Sequence, residues 1–180
     1  LTCGWMMWNW LISSLALGAT VVLYDGSPFA KNGHILWDIA EQEKISIFGT
    51  SAKYIAALEK ANIKPRESHD VTALKTLLST GSPLAHESFD YIYRDIKDDI
   101  CVSSISGGTD IISCFALGNP TLPVYRGELQ CKGLGMAVDI FDENGHSLLN
   151  EKGELVCTKA FPCMPVSFWN DADGIQHAQR

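Results

Sequence analysis

The chain has few of the features that most directly announce a chemistry. Its six cysteines (Cys3, Cys101, Cys114, Cys131, Cys157, Cys163) contain no C-x-x-C pair, and none stands at ligand-like spacing from the five histidines. A structural zinc or a disulfide scaffold is therefore not expected. Several of the cysteines sit in apolar stretches, where a free thiol behaves as a small hydrophobe, and this reads as a reduced, cytoplasmic protein. Basic residues are short too: 14 Lys and Arg against 21 Asp and Glu give a formal charge of −7. A general nucleic-acid binder needs a basic face, so that class is set aside. ATP is also anionic, but it arrives with magnesium, so net acidity does not exclude it. No repeat or low-complexity segment is visible.

Charge is absent altogether from the first 24 residues. The length and polarity of Trp5 to Leu23 alone would permit a membrane span. Asn9, Ser13, Ser14, Gly18 and Thr20 interrupt it, however, and no basic residue flanks its start. The missing basic flank also excludes a signal peptide. Gly18 reads better as the stop of a buried helix, followed by a β-branched strand from Thr20 to Tyr24.

An apolar fraction of 46% with 19% charged residues in 180 describes a folded chain with enough length for one domain, or one domain and a small lobe. Up to about residue 117, helix-like and strand-like segments alternate. A helix from Trp5 to Leu17 precedes strand 20–24. Helix 33–43 buries Leu36, Ile39 and Ala40 and feeds strand 45–48. Ser51 caps helix 52–61, which buries Ile55 and Leu58. Strand 74–78 follows a polar loop, and helix 85–97 places Phe89, Ile92, Tyr93 and Ile96 on one face. Strand 101–105 completes an α/β fold with a parallel sheet flanked by helices. Beyond residue 117 Pro120 and Pro123 break the chain, and a smaller β-rich lobe (118–180) is expected. In it Val138–Phe141 and His146–Leu148 flank the hairpin signal Asn144-Gly145, and residues 153–157 form another strand.

Three small-residue runs stand at the ends of predicted strands: Gly49-Thr50-Ser51, Ser79-Thr80-Gly81-Ser82-Pro83 and Ser106-Gly107-Gly108-Thr109-Asp110. Open parallel sheets bind ligands beyond the carboxyl ends of their strands. Small residues there let backbone N–H groups approach a phosphate or a purine ring. The Thr109 hydroxyl and the Asp110 carboxylate can hold a phosphate and its divalent metal. None of the runs is a Walker loop or a dinucleotide fingerprint. Taken singly, Ser106–Asp110 is equally a tight turn after a buried strand, and Ser82-Pro83 a helix opening. Their joint occurrence favours a nucleotide site. Trp5, Met6, Met7, Trp8 and Trp10 read as helix core, or as one wall of a small-molecule pocket. Glu128 and Glu154, each preceded by Gly, read as turn–strand junctions.

Taken in order along the whole chain, these runs resemble the acetoacetyl-CoA synthetase family of the adenylate-forming superfamily. The resemblance rests on Thr2 to Trp10, Gly18-Ala19-Thr20, Leu23 to Gly26, Phe48 to Tyr54, Ser79 to Leu84, Ser106 to Asp110 and Gly153-Glu154-Leu155. It implies a two-step acid–thiol ligase that adenylates acetoacetate with ATP and Mg2+ and passes the acyl group to coenzyme A. Gly81, Ser82 and Pro83 would then line the adenine, with Gly108 and Thr109 also on the nucleotide. Thr109 would bond the α-phosphate, and Asp110 would stand where the wider superfamily has Glu, near magnesium. Trp5, Met6, Met7 and Gly107 would border the acid. Related acetyl-CoA synthetases carry tryptophans just before the matching motif, so Ser106 and Gly107 would enlarge the pocket, and Gly107→Trp should turn preference toward acetate. The resemblance also places a phosphate loop upstream, and a ribose-binding Asp and a C-terminal domain downstream, so the chain alone is expected to be an inactive piece of such an enzyme. A ligase for another short acid, such as acetate or propionate, and a non-catalytic nucleotide-binding remnant are the rival readings.

Overall fold

The computed structural model describes residues 3–179, so Thr2 of the N-terminal run lies outside the described residues. The chain opens with α1 (Met6–Ser13), extended by a tighter turn at Ser14–Leu17 that Gly18 ends with a φ of +75°. Only a residue at ease in the left-handed region closes a helix this way. At eight residues, α1 is far from a membrane span, and no helix among the described residues is long and apolar enough to cross one. The strand expected at Thr20–Tyr24 does not form. Its residues are β-prone, yet they join none of the sheets, and Leu23 stays exposed.

The α/β part follows as α2 (Ile35–Gln42), β1 (Ile47–Ser51), α3 (Ala52–Lys60), α4 (Pro65–Ser68), β2 (Thr76–Thr80), α5 (His86–Tyr91) and β3 (Cys101–Ser104). The three strands pair in parallel in the order β1-β2-β3. The strands β1 and β2 start two residues later than their apolar runs suggest. The Ile45 N–H is taken up by the Ala40 carbonyl at the end of α2, and the Leu74 N–H by Val71, so neither joins the ladder. As expected, the Ser51 hydroxyl accepts the Tyr54 N–H at 3.2 Å and starts α3. After α5 the helix widens by one residue per turn over Ile92–Ile96, where Lys97 N–H reaches the Ile92 carbonyl at 2.9 Å.

One face of the sheet carries the main core. Trp37, Ile55, Leu58, Leu77, Phe89, Ile92, Ile96 and Val102 are all buried there. Trp37 stacks on Phe48 with ring centroids 5.0 Å apart. A second cluster on the N-terminal segment holds Met6, Met7, Ile105 and Cys114. Burial pushes the Cys114 thiol up to about 12, which leaves it protonated and unreactive at neutral pH.

The second half is antiparallel. Ser106–Gly108, expected as a loop, is strand β4, paired with β5 (Ser113–Leu117), which pairs in turn with the short β6 (Cys131–Lys132). The expected turn therefore lies further on, at residues 109–112. A separate ribbon joins β7 (Val138–Phe141) to β8 (Glu154–Cys157). The Asn144-Gly145 turn is present, with Gly145 at φ +80° and Asp142 accepting the Asn144 and His146 N–H groups at 2.8 Å. Its return arm is only a bridge from Phe141 to Ser147, on the edge of β7 away from β8. The short α6 (Ile175–Ala178) closes the described chain.

Two predictions concern stability, read on the full-length protein. The buried Tyr54 hydroxyl makes no well-formed hydrogen bond among the described residues; Trp37 Nε1, the donor nearest to it, is likewise without one. Tyr54→Phe removes an unsatisfied group at constant shape, so the melting temperature should hold or rise. Asp70 accepts from the Thr72 hydroxyl and N–H and from Lys44, which together draw its carboxyl down from 3.8 to about 2. A depressed folded pKa contributes stability above the unfolded value and loses it as pH falls through the folded one. Asp70→Asn should therefore flatten the loss of stability between about pH 4 and pH 2 in acid unfolding.

Candidate functional site

Parallel register makes the site. Ser51 pairs with Thr80 and Ser79 with Ser104, so β1, β2 and β3 end almost level at one edge of the sheet. The small-residue runs after β2 and β3 leave from that edge, while Gly49-Thr50-Ser51 is the end of β1 itself. Gly81, at φ +87°, turns the chain away from β2. Thr80 donates its hydroxyl to the Ile105 carbonyl at 3.2 Å, and the Ile105 N–H bonds the Ser79 carbonyl at 2.9 Å. These bonds join the second run to the chain entering the third.

Between them opens a cavity of about 420 Å³ lined by residues 80–84, 104–107 and 127–129. Gly81, Ser82, Pro83 and Gly107, all read from the sequence as site residues, lie on it. The 127–129 wall escaped sequence reading, since Glu128 looked like a turn before a strand. No local signal in a Gly-Glu-Leu triplet says that it folds back over a loop far earlier in the chain. Glu128 is the one charged residue on the lining; the rest is small, hydroxylated or aliphatic.

Thr109 and Asp110 sit apart from this cavity, in the exposed β4–β5 turn. The Thr109 hydroxyl oxygen accepts the Met6 N–H at 3.1 Å. Met6 is the first residue of α1, whose N–H has no partner within the helix, so Thr109 serves as a cap supplied from across the fold. Accepting that bond leaves the Thr109 proton free to be donated elsewhere. Trp10 Nε1 donates to the Ile112 carbonyl at 3.2 Å, a second link from α1 to the same turn. Ile112 has a φ of +49°, an uncommon conformation for a β-branched residue.

The other N-terminal site residues behave differently. Met6 and Met7 are buried against Ile105 and Cys114, so they form the floor under the turn. Trp5 is half-buried and stands beside the cavity loop, where a methyl group added at Gly81 would lie 3.6 Å from its Cζ2. Gly107 has a structural reason of its own. A methyl group there would lie 2.6 Å from Cys114 Cα and closer still to the Ser113 carbonyl oxygen, at the bulge where β4 meets β5. Bulk added at this position runs into backbone, so Gly107→Trp cannot simply narrow an acid pocket. Gly108, by contrast, has room: a methyl group there would first meet the Asp110 carboxylate, at 3.5 Å. Among the described residues no three or more His, Cys, Asp or Glu side chains gather to hold an ion by themselves.

The family model described as AMP-binding enzyme matches residues 1–163. The chain belongs to the AMP-binding enzyme family. It is 58% identical to the acetoacetyl-coenzyme A synthetase of Rhizobium meliloti (strain 1021) over 98% of its length, which is 27% of that protein. The acetoacetyl-CoA synthetase of Gallus gallus is 53% identical over 98% of the chain and 26% of its own length. Among solved structures, the acetoacetyl-CoA synthetase from Streptomyces lividans superposes with a TM-score of 0.91 at 44% identity, covering 99% of this chain and 28% of that one. The anthranilate CoA ligase AuaEII, solved with anthranoyl-AMP, superposes at 0.68 with 19% identity over 88% of this chain and 30% of its own, a likeness of fold alone. The chain thus spans about a quarter of the length of the AMP-binding enzymes it matches.

In this member of the family, Gly107→Ala should destabilise the full-length protein by ~1–3 kcal/mol, the usual cost of forcing atoms into a packed contact. Thermal unfolding reads this directly. Gly108→Ala should cost less than half as much; equal losses would mean that the β4–β5 approach is not what requires glycine at 107.

Proposed function

We propose that the full-length protein of which this chain is a part is an acetoacetate–CoA ligase of the AMP-forming kind. One observation carries the reading: the cavity at the level carboxyl ends of three parallel strands, walled by Gly81-Ser82-Pro83, in a chain of the AMP-binding enzyme family. The names of the two relatives compared above supply the acid. A cavity of about 420 Å³ has the size of small-molecule sites, and its glycines let a flat purine lie against backbone.

In the first step an acetoacetate carboxylate oxygen attacks the α-phosphorus of ATP, and the bond to the pyrophosphate oxygen breaks. In the second, the thiol sulfur of coenzyme A attacks the acyl carbon, the mixed anhydride opens, and AMP leaves. Catalysis of this type is mostly positioning and charge stabilisation. Held by the Met6 N–H, Thr109 presents its proton to an α-phosphate oxygen. Asp110 beside it offers a solvent-facing carboxylate. Magnesium carried on a nucleotide uses one or two carboxylates besides phosphate oxygens and water, so Asp110 suits it without further protein ligands. Trp5 and Gly107 border the acid, over the floor made by Met6 and Met7. The six free thiols support a reducing, cytoplasmic setting.

Acid-dependent ATP–pyrophosphate exchange by the full-length protein tests this. Exchange should be strongest with acetoacetate among acetoacetate, acetate, propionate and butyrate. Preference for another acid would keep the chemistry and change the substrate, and no exchange from folded protein would remove the ligase reading. Thr109→Val should lower the exchange rate by roughly 10²-fold, the usual effect of losing one preorganised donor at a developing charge.

A further inference from the structure

The loop that closes the far side of the cavity is tied at both ends: Gln130 on one side bonds Asn119, Leu122 and Pro123, and Arg126 on the other reaches across to α5. Residues 127–129 have no strand pairing of their own, and immediately before them stands Arg126. Its guanidinium grips the Asp90 carboxylate from two sides: Nε donates to Oδ1 at 2.8 Å and to Oδ2 at 3.0 Å, and NH2 donates to Oδ2 at 2.9 Å. NH1 lies 3.0 Å from His86 Nδ1. A guanidinium can only donate, so Nδ1 is the acceptor and the neutral ring carries its proton on Nε2. The Arg126 charge beside Asp90 holds that carboxyl below the usual carboxylate range. His86 does a second thing. Its ring fills the space behind Gly127, whose φ is +84°, so that a methyl group at 127 would overlap the imidazole.

Both anchors belong to α5, and α5 begins directly after the Gly81–Leu84 loop that forms the opposite wall. One helix therefore carries one wall of the cavity at its N-terminal end and clamps the other wall through two of its side chains. We propose that Arg126 is a positioning residue that sets the width of the nucleotide slot by fixing the 127–129 wall to α5. The proposal rests on reading the cavity as that slot. Arg126 touches no reacting atom, and of the residues placed beside the acid only Gly107 lies on this cavity, held there by its own pairing with β5, while Trp5, Met6 and Met7 lie off it. Its main effect falls on the nucleotide.

The experiment uses the full-length protein with Arg126→Gln and Arg126→Lys. Binding of magnesium ATP is measured by titration calorimetry, the KM values for ATP and acetoacetate by exchange, and folding by thermal unfolding. The Gln variant should bind ATP about five- to tenfold more weakly, as expected for the loss of a forked, partly exposed ion pair. Its KM for acetoacetate should stay at the wild-type value, and Lys should recover only part of the loss because it keeps the charge without the fork. Unchanged ATP binding in Arg126→Gln would overturn the proposal. So would parallel losses for ATP and acetoacetate together with a lowered melting temperature, which would mark a purely structural contact. Wild-type protein that binds ATP but exchanges with no acid would remove the ligase reading and leave the slot to be judged by ATP binding alone. Wild-type protein that binds no ATP would overturn both.

Discussion

Everything at this site depends on strand register. Two parallel pairings bring Ser51, Thr80 and Ser104 to one edge, and each bond along β1-β2-β3 helps to fix where the following loops depart. A parallel sheet aims successive chain exits in the same direction, so one edge gathers residues that are distant in sequence. A one-residue slip would turn inward-facing Leu77 and Val102 to the opposite face, and the core they share with Ile55, Phe89 and Ile96 resists that. Apolar packing on one face thus sets polar geometry at the edge.

The N-terminal segment illustrates how core and site can share residues. Dense aromatic and Met content at Trp5–Trp10 has two readings in sequence, helix core or pocket wall, and the structure puts Met6 and Met7 in the core with Trp5 and Trp10 packed against it. Met6 and Met7 are buried among Ile105 and Cys114, while Trp5 stays half-buried beside Gly81. Packing below the turn and contact beside the cavity come from neighbouring positions of one helix start.

What could be read in the sequence follows from how local each signal is. The Ser51 cap, the Gly18 stop and the Asn144-Gly145 turn act over a few residues, and all three are present. The alternation of helices and strands gave the parallel sheet for the same reason. Errors came where a distant partner decides the outcome. Thr20–Tyr24 has strand chemistry but joins no sheet, and Ser106–Gly108 has loop chemistry but pairs with β5. Ile45 and Leu74 look like strand starts until the helix end and turn that claim their N–H groups are known. The wall at residues 127–129 was invisible for the same physical reason, because nothing near Glu128 names Asp90 and His86 as the partners of its neighbour Arg126.

The hydrogen bond from Met6 to Thr109 joins the start of α1 to the β4–β5 turn, two parts of the chain more than a hundred residues apart. Any ligand that strengthens or displaces that bond changes the free energy of the helix start, and any ligand that presses on Trp5 or Met6 changes the hold on the hydroxyl. Linkage makes the two effects equal: whatever a ligand at the helix start does to the affinity for a ligand at the turn, the second does to the affinity for the first. A single capping contact of 3.1 Å thereby couples the helix start to the turn thermodynamically, through a backbone amide that only a proline at position 6 would delete.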